Sequence, residues 1–365
     1  MGGSITKRVP EIELMKAIAI VGMVLVHVLE GSMSVFLNAW ELPGSIPYTI
    51  VEFFGCIPAA GAFTFAMGWG AACSKTATTR SFLKRALILG LLILYVNFMY
   101  AILPMLLDPQ NFGSFFDSPW ILIGFNIYSF GTVSMLFFAL LKKFDDKPAV
   151  RAGICIAAFV IIFVVDIIAV PGKYAESDNQ WLASVIGFFV RQNEYSWFPI
   201  VPWGIFPIFG YGAAHLYKKW NNRKKFAWTA FIAGAIAMPA CVIANNVLGL
   251  PQGAANPAWI EDGMDYYALS PINVICALGI LCVEMAVCFA ILTLTKGKLH
   301  WLISDMSHYV MFIFCLQWVF ISPMFVVLIH VTDIWTNLLI GVVTLVVIIV
   351  VTEIYKKIRT GKMRT

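Results

Sequence analysis

About ten apolar stretches, each long enough to cross a lipid bilayer, follow one another along this sequence. Hydrophobic residues make up 60% of the chain and charged residues only 12%, which is about half the charged share of a typical soluble domain. The sequence therefore predicts an all-α, polytopic membrane bundle of about ten transmembrane helices. We expect residues 1–365 to form a single membrane domain with no separate soluble domain. The approximate bounds of the stretches are 12–30, 48–73, 83–103, 119–141, 150–171, 197–217, 227–248, 271–295, 309–331 and 334–355.

Positive charge is concentrated in alternate connections between these stretches, whereas the intervening connections are acidic or mixed. Because cytoplasmic loops are enriched in Lys and Arg, this alternation predicts that the N-terminus and the C-terminus are both cytoplasmic. The same clusters account for the net charge of +5, so we expect no nucleic-acid partner. The basic connections contain Lys7, Arg8, Lys75, Arg80, Lys84, Arg85, Lys142, Lys143, Lys147, Arg151, Lys218, Lys219, Arg223, Lys224, Lys225, Lys296, Lys298, Lys356, Lys357, Arg359, Lys362 and Arg364.

The eight cysteines lie in or beside apolar stretches and form no Cys-x-x-Cys pair. We therefore expect neither disulfides nor a metal site. The first apolar stretch is long and lacks a small-residue cleavage site, which favours a retained span over a signal peptide.

The first apolar stretch carries four ionisable residues, Glu13, Lys16, His27 and Glu30. In a helix, Lys16 and His27 differ by only about 20° around the axis and are separated by about 16 Å along it. Glu13 and Glu30 fall within about 60° of Lys16 and His27, respectively, so the helix has one polar face. Ionisable side chains inside a membrane are costly, and such a face indicates a functional site.

Each of these residues also has a purely structural interpretation. Glu13 and Lys16 are spaced to neutralise each other. His27 could act as a base oriented by Glu30, or it could only hydrogen-bond a neighbouring helix. Glu284 lies in the middle of the eighth stretch, where it must be protonated or paired, and it is a supporting polar candidate. The spacing alone leaves these alternatives open.

The segment EIELMKAIAIVGMVLVHV (11–28) resembles the opening of the transmembrane acyltransferase superfamily, which includes acyltransferase family 3 and the heparan-alpha-glucosaminide N-acetyltransferase group. Members typically begin with an acidic residue, two residues, an arginine, ten residues and a histidine. Glu13, Lys16 and His27 occupy those positions here. Lysine in place of arginine keeps the charge but loses the planar group that binds phosphate or carboxylate with two hydrogen bonds.

Three looser matches follow in the same order along the chain. They are AAGAFTFAMGWGAACSK (59–75), FPIVPWGIFPIFGYGAA (198–214) and SDMSHYVMFIFCLQWVF (304–320). The second is similar to a Pro-Trp and glycine-rich helix of the heparan-acetyltransferase-like branch. In the third, many members carry a second histidine late in the span, where this chain has Gln317.

The resemblance implies a membrane enzyme that transfers an acyl group, usually acetyl, from cytoplasmic acyl-coenzyme A (acyl-CoA) to a hydroxyl or amine of an extracytoplasmic acceptor, such as a glycan. In that model His27 is the catalytic base or carries the acyl group, and Glu30 assists it. Positive-inside topology alone also explains Lys84 and Arg85. Helix packing explains the glycines of the sixth stretch as well as ligand approach does. The implied acyl-CoA-binding residues are Lys16, Lys84, Arg85, Trp203 and Gly204, with Glu13 and Glu284 as supporting polar groups.

The main alternative is a proton-coupled secondary transporter, because about ten helices with a polar interior and a bent helix also suit a carrier. Pro and Gly are concentrated in the sixth stretch without a counterpart in the first, which favours the enzyme. A catalytically inactive scaffold is a third interpretation. We expect acyl-CoA as co-substrate, no metal, a small acceptor and the lipid bilayer as partners, and the plasma membrane of a prokaryote as location. Homo-oligomer formation is left open.

Overall fold

The computed structural model describes residues 9–33, 46–55, 57–74, 76–112, 125–168, 179–190, 198–248, 269–295, 300–328, 331 and 333–360. Within these ranges the regular secondary structure is helical, and no β-strand is present. The predicted all-α class is confirmed. The helices are α1 (Pro10–Met33), α2 (Ile46–Gly55), α3 (Ala62–Cys73), α4 (Thr79–Asn97), α5 (Leu103–Leu107), α6 (Pro109–Phe112), α7 (Ile127–Lys142), α8 (Pro148–Ile168), α9 (Gln180–Phe189), α10 (Ile200–Trp203), α11 (Ile205–Trp220), α12 (Arg223–Leu248), α13 (Pro271–Leu294), α14 (His300–His308), α15 (Val310–Leu328) and α16 (Ile334–Thr360), with π-helical turns at Ile57–Gly61 and Phe98–Ile102.

Eight apolar helical segments in the described residues are long enough to cross a membrane. The remaining two predicted stretches, 119–141 and 197–217, contain α7 and α11, which have 16 residues each. Large apolar side chains are exposed on the spanning helices, for example Leu87 and Leu94 on α4 and Leu339 on α16. Lipid rather than water would cover such a surface. The protein is therefore an integral, multi-pass membrane protein. The eight segments are Pro10–Leu29, Phe53–Cys73, Thr79–Leu107, Pro148–Ile168, Arg223–Leu248, Pro271–Leu294, Val310–Leu328 and Ile334–Arg359.

The chain divides into two compact units. Of the residues that the structure describes, those within Phe63–Phe98 and Ser114–Ala286 form the first unit, and those within Val9–Ala62, Met99–Gly113 and Val287–Thr365 form the second. Helices α4 and α7 form the most extensive helix pair of the first unit. In the second unit, α1 contacts α2, the first π-helical turn, α14, α15 and α16, so it is the central helix there.

Glycines allow the closest helix approaches in both units. A Cβ atom on Gly22 of α1 would lie 2.4 Å from the Phe54 carbonyl oxygen at the end of α2. In the first unit, a Cβ on Gly210 of α11 would lie 2.1 Å from the Phe65 carbonyl oxygen of α3. Real side-chain atoms do not approach carbonyl oxygens so closely, and the small residues at these crossings let the backbones touch.

The sixth predicted stretch is broken into two helices rather than bent. The N-cap residue Pro199 precedes α10, Val201 has non-helical dihedrals, and Gly204 separates α10 from α11. Prolines lack the backbone N–H that a continuous helix requires, which explains a break in this Pro-rich segment.

Candidate active site around His27

His27 lies in the C-terminal half of α1 and packs against aromatic residues of α15. Its imidazole ring is 4.7 Å from the Trp318 ring, centroid to centroid, with an interplanar angle of 36°. The Phe314 ring meets the imidazole edge-on at 6.4 Å. Phe314 and Trp318 are four residues apart and share one face of α15. The predicted polar face of α1 therefore faces another helix at this point.

Buried polar atoms without hydrogen-bond partners are concentrated on this face of α15. Among the described residues, the Trp318 Nε1 and Ser322 Oγ atoms and both amide atoms of Gln317 have none. The His27 Nδ1 atom is also buried without a hydrogen-bond partner in this part of the chain. The Gln317 amide approaches the imidazole without reaching hydrogen-bonding geometry. Most buried polar groups in proteins are paired, and each unpaired one costs about 1–3 kcal/mol. Such a cluster is typical of a site that binds a polar ligand.

An aromatic wall continues from this cluster. Tyr100, from the second π-helical turn, lies edge-on to Trp318 at 5.2 Å and to Phe325 at 5.9 Å. The Trp318 and Phe325 rings are 6.3 Å apart. Rings of this size exclude water, and a low local dielectric strengthens the electrostatic interactions of any charge that develops beside them.

Lys16 marks the other end of the polar face. Its Nζ atom donates a hydrogen bond of 3.4 Å to the Ser307 carbonyl oxygen, in the last turn of α14. Carbonyls at that position have no partner within their own helix, so a lysine is a favourable donor to them. Glu13, one turn earlier on α1, is buried.

The contacts of Lys16 and His27 establish the direction of the helices in the second unit. Lys16 contacts Ser307, and His27 contacts Trp318. Both pairs advance by eleven residues along their own segment, so α1 runs parallel to the α14–α15 segment. Gly341 of α16 lies against Leu25 of α1. Lys356, farther along α16, pairs with Asp305 of α14, so α16 runs in the opposite direction. The start of α1 and the end of α16 consequently lie at the same end of this unit. Which side of the membrane that end faces stays a prediction.

The remaining predicted site residues have varied surroundings. Glu30 belongs to α1, but its side chain lies outside the described residues. Lys84 and Arg85 are exposed on α4 of the first unit, and the Arg85 guanidinium lies 5.6 Å from the Phe82 ring. Glu284, on α13 of the same unit, has both carboxylate oxygens buried without a hydrogen-bond partner in the described part of the chain.

Trp203 and Gly204 occupy the break between α10 and α11. Trp203 is completely buried against Phe198 and Phe206, with ring distances of 5.0 and 5.2 Å. A Cβ on Gly204 would lie 2.8 Å from the Ile162 Cδ1 atom. Packing of α8 against the break therefore explains the small residue at Gly204.

Three residues of the His27 surroundings were absent from the sequence-based candidates, namely Tyr100, Trp318 and Ser322. All three lie in strongly apolar segments, where an aromatic or a hydroxyl side chain has no distinctive pattern. The segment 304–320 was matched to the acyltransferase pattern and includes Gln317 and Trp318. It contained the one signal that could have identified this part of the site.

The chain matches the family model described as an acyltransferase domain, acyltransferase family 3, over residues 9–353. No curated protein and no solved structure matches it.

Proposed function

Because the chain belongs to acyltransferase family 3, we propose that it transfers an acyl group, typically acetyl, from cytoplasmic acyl-CoA to a hydroxyl or amine of an extracytoplasmic acceptor. Membership and the membrane helices together identify a membrane acyltransferase. The acyl-CoA donor, the acceptor and the role of His27 as base are the proposal. The cluster of unpartnered buried polar atoms around His27 is the observation that carries it.

The proposed reaction begins with proton removal. The Nδ1 atom of His27 accepts the proton of the acceptor hydroxyl or amine, as a general base does near neutral pH. The acceptor oxygen or nitrogen then forms a bond to the thioester carbonyl carbon, and the carbonyl oxygen gains the negative charge. When the tetrahedral intermediate collapses, the carbon–sulfur bond breaks and the CoA thiolate takes the proton from the His27 imidazolium.

The Gln317 Nε2 and Trp318 Nε1 groups supply N–H donors for the developing negative charge on the carbonyl oxygen. Both atoms are buried next to His27, and neither has another partner among the residues described. Donors that are already oriented and dry stabilise such a charge more than water does. Ser322 lies one turn beyond Trp318 on α15 and offers a hydroxyl on the same side.

Lys16 is proposed to hold a donor phosphate as a point charge. About 16 Å of helix separates Lys16 from His27 on the same face of α1, and the extended pantetheine arm of CoA would bridge such a distance. The Lys16 hydrogen bond to Ser307 is long, at 3.4 Å, so a phosphate could compete for this ammonium group. Lys84 and Arg85 are the exposed cationic candidates of the first unit.

A glycan is the proposed acceptor because the acyltransferase resemblance favours surface glycans. The chemistry at His27 suits any hydroxyl or amine that reaches it from the extracytoplasmic side. An acceptor panel of monosaccharides, disaccharides and amino sugars, assayed with labelled acetyl-CoA, would identify the class.

The experiment combines ligand binding and turnover in the purified full-length protein. Thermal unfolding is measured with and without acetyl-CoA for wild type, His27→Ala and the control His308→Ala, whose histidine is exposed. We expect acetyl-CoA to stabilise all three proteins, and only His27→Ala to lose acetyl transfer. Absence of stabilisation by any acyl-CoA, with solute flux intact in His27→Ala, would instead establish the transporter and overturn the proposal.

A further inference from the structure

A separate polar cavity lies within the first unit, where the ends of α3, α7 and α8 meet α11. Its volume is about 210 Å³. Its apolar walls include Phe82 and Phe138, and its polar groups come from Ser74, Lys142, Asp145, Arg151 and Tyr211. None of these residues belongs to the His27 cluster, and the mechanism proposed above uses none of them.

Asp145 lies between the two cations of this cavity. The Lys142 Nζ atom donates to Asp145 Oδ2 at 2.6 Å, and the Arg151 Nη1 atom donates to Asp145 Oδ1 at 2.9 Å. The hydrogen bond from Lys142 is the main cause that holds the pKa of Asp145 below its ordinary value. A single carboxylate therefore faces two positive charges, which leaves one positive charge uncompensated.

The three side chains differ in their exposure to solvent. The Asp145 side chain is 52% exposed, whereas the Lys142 and Arg151 side chains are only 20% and 17% exposed. Asp145 can thus turn outward into water when another anion takes its place beside the two cations. The two cations would stay in the cavity.

Arg151 and the helices that surround the cavity are held in place by contacts that do not involve Asp145. Arg151 Nη1 also donates to the Tyr211 hydroxyl oxygen at 3.3 Å, and the Tyr211 ring stacks on Phe138 at 5.9 Å. Lys218 of α11 donates to the Ala72 carbonyl oxygen at the end of α3 at 2.6 Å. These contacts connect the walls contributed by α3, α7, α8 and α11.

One donor of Arg151 has no acceptor. The Arg151 Nε atom is buried and lacks a hydrogen-bond partner in the part of the chain that the structure describes. Guanidinium groups bind phosphate through two parallel N–H donors. Nη1 and Nη2 form such a pair at the end of the group that Asp145 occupies, and Nε and Nη2 form another at the adjacent edge. The Asp145 carboxylate uses only the Nη1 atom.

We propose that Lys142, Arg151 and Tyr211 form a binding site for a phosphate group, and that Asp145 is an internal competitor which the phosphate displaces. A phosphate monoester, which carries about two negative charges at pH 7, neutralises both cations, whereas a phosphodiester carries one negative charge, as the carboxylate does. The volume of about 210 Å³ is below the roughly 300–1,000 Å³ of sites that enclose a whole small molecule. The cavity therefore receives the phosphate, and the rest of the ligand extends outside it.

Two ligands share this chemistry. CoA carries a 3′-phosphate and a diphosphate, and that assignment rests on the proposed function. An anionic phospholipid carries a phosphodiester in its headgroup, and the assignment to a lipid is independent of the proposed function.

The test measures binding to the full-length protein in nanodiscs of zwitterionic lipid. The probes are CoA, dephospho-CoA and added phosphatidylglycerol, and the variants are Asp145→Asn, Lys142→Ala and Arg151→Gln. Lys143→Ala and Asp146→Asn are matched controls, because these neighbours do not line the cavity. We expect Asp145→Asn to bind the phosphate ligand several-fold more tightly, and the two cation variants to bind it about tenfold or more weakly.

A gain of binding cannot result from misfolding, so the Asp145→Asn result decides the proposal. A gain for CoA alone assigns the 3′-phosphate, a gain for both nucleotides assigns the diphosphate, and a gain for phosphatidylglycerol alone assigns a lipid headgroup. The proposal is overturned if the affinity of Asp145→Asn for every probe is no higher than the affinities of wild type and of Asp146→Asn. Failure of the proposed function would appear separately, as acetyl transfer that persists in His27→Ala.

Discussion

The indole ring of Trp318 lies 4.7 Å from the imidazole of His27, and the two planes are tilted by 36°. The Trp318 Nε1 atom and the His27 Nδ1 atom have no hydrogen-bond partners among the described residues. One residue is a titratable base and the other an N–H donor, which are the two groups that acyl transfer requires. Packing and hydrogen bonding by Trp318 can therefore be tested separately, because a substitution can keep an aromatic ring and remove the indole N–H group.

Trp318→Phe keeps an aromatic ring beside His27 and removes the indole N–H. We expect kcat to fall about a hundredfold with little change in KM, because the lost donor acts on charge that develops only in the transition state. Steady-state acetyl transfer measures both constants. Trp335→Phe, at an exposed position of α16, is the control. An unchanged kcat in Trp318→Phe would assign the indole to packing alone.

Gln317→Leu replaces an amide whose two polar atoms are buried and unpartnered in the described structure. Leucine has a similar volume and no polar atoms, so we expect the variant to be more stable by about 1–3 kcal/mol. Acetyl transfer should fall at the same time, because stability and activity oppose each other at a site built for a polar ligand. Thermal unfolding and turnover are measured on the same preparation. A variant that is less stable than wild type would contradict this prediction.

Gly22→Ala tests the close contact between α1 and α2. The added Cβ would lie 2.4 Å from the Phe54 carbonyl oxygen. Because backbone atoms cannot move aside as a flexible side chain can, we expect the free energy of unfolding to fall by about 1–3 kcal/mol. Gly90→Ala on α4 is the control, since nothing lies within 4 Å of its Cβ, and it should be neutral or slightly stabilising. Denaturant unfolding compares the two. Equal stabilities would show that the crossing can relax.

Lys16→Gln and Lys16→Arg test the cationic end of the polar face. Loss of the charge should raise KM for acetyl-CoA about tenfold, whereas arginine should bind the donor at least as tightly as lysine, because its planar fork suits phosphate. The donor KM is measured for both variants and for Lys143→Ala as control. If Lys16→Gln lowers kcat and leaves KM unchanged, Lys16 acts through the position of α14 rather than through the donor.

Asp145 predicts a pH dependence of stability. Its pKa is lowered mainly by the hydrogen bond from Lys142, so the stability it contributes is present above the unfolded pKa of about 4 and is lost as pH falls through the folded value. We expect wild type to exceed Asp145→Asn in melting temperature at pH 5–7, and the difference to vanish only below about pH 4. Asp146→Asn is the control, because Asp146 does not line the cavity. A difference that disappears already above pH 5 would contradict the lowered pKa.

The sequence predicted the helical class and the polar face of α1 because both follow from local spacing. Apolar length predicts spans, and a separation of eleven residues places Lys16 and His27 on one face whatever surrounds them. The surroundings of His27 could not be predicted in this way. Trp318 is distant along the chain, and the contact depends on α1 and α15 packing side by side in parallel.

The glycines of residues 198–214 also show what the sequence could and could not predict. Their concentration in 198–214 left ligand approach and helix packing as equal alternatives, because glycine lacks a side chain that could indicate which it serves. In the structure, Gly210 meets the backbone of α3, whereas nothing lies within 4 Å of a Cβ on Gly212. Only the neighbouring helix distinguishes these two positions.

The sequence by itself determined that this protein is a multi-pass membrane protein and that its first helix carries a polar face with a histidine, because hydropathy and helical periodicity are local properties. Tertiary structure alone decided which groups meet that histidine, and it placed Asp145 between Lys142 and Arg151 beside Tyr211. Those arrangements depend on contacts between helices that are remote in the chain, and the packing of whole helices determines such contacts.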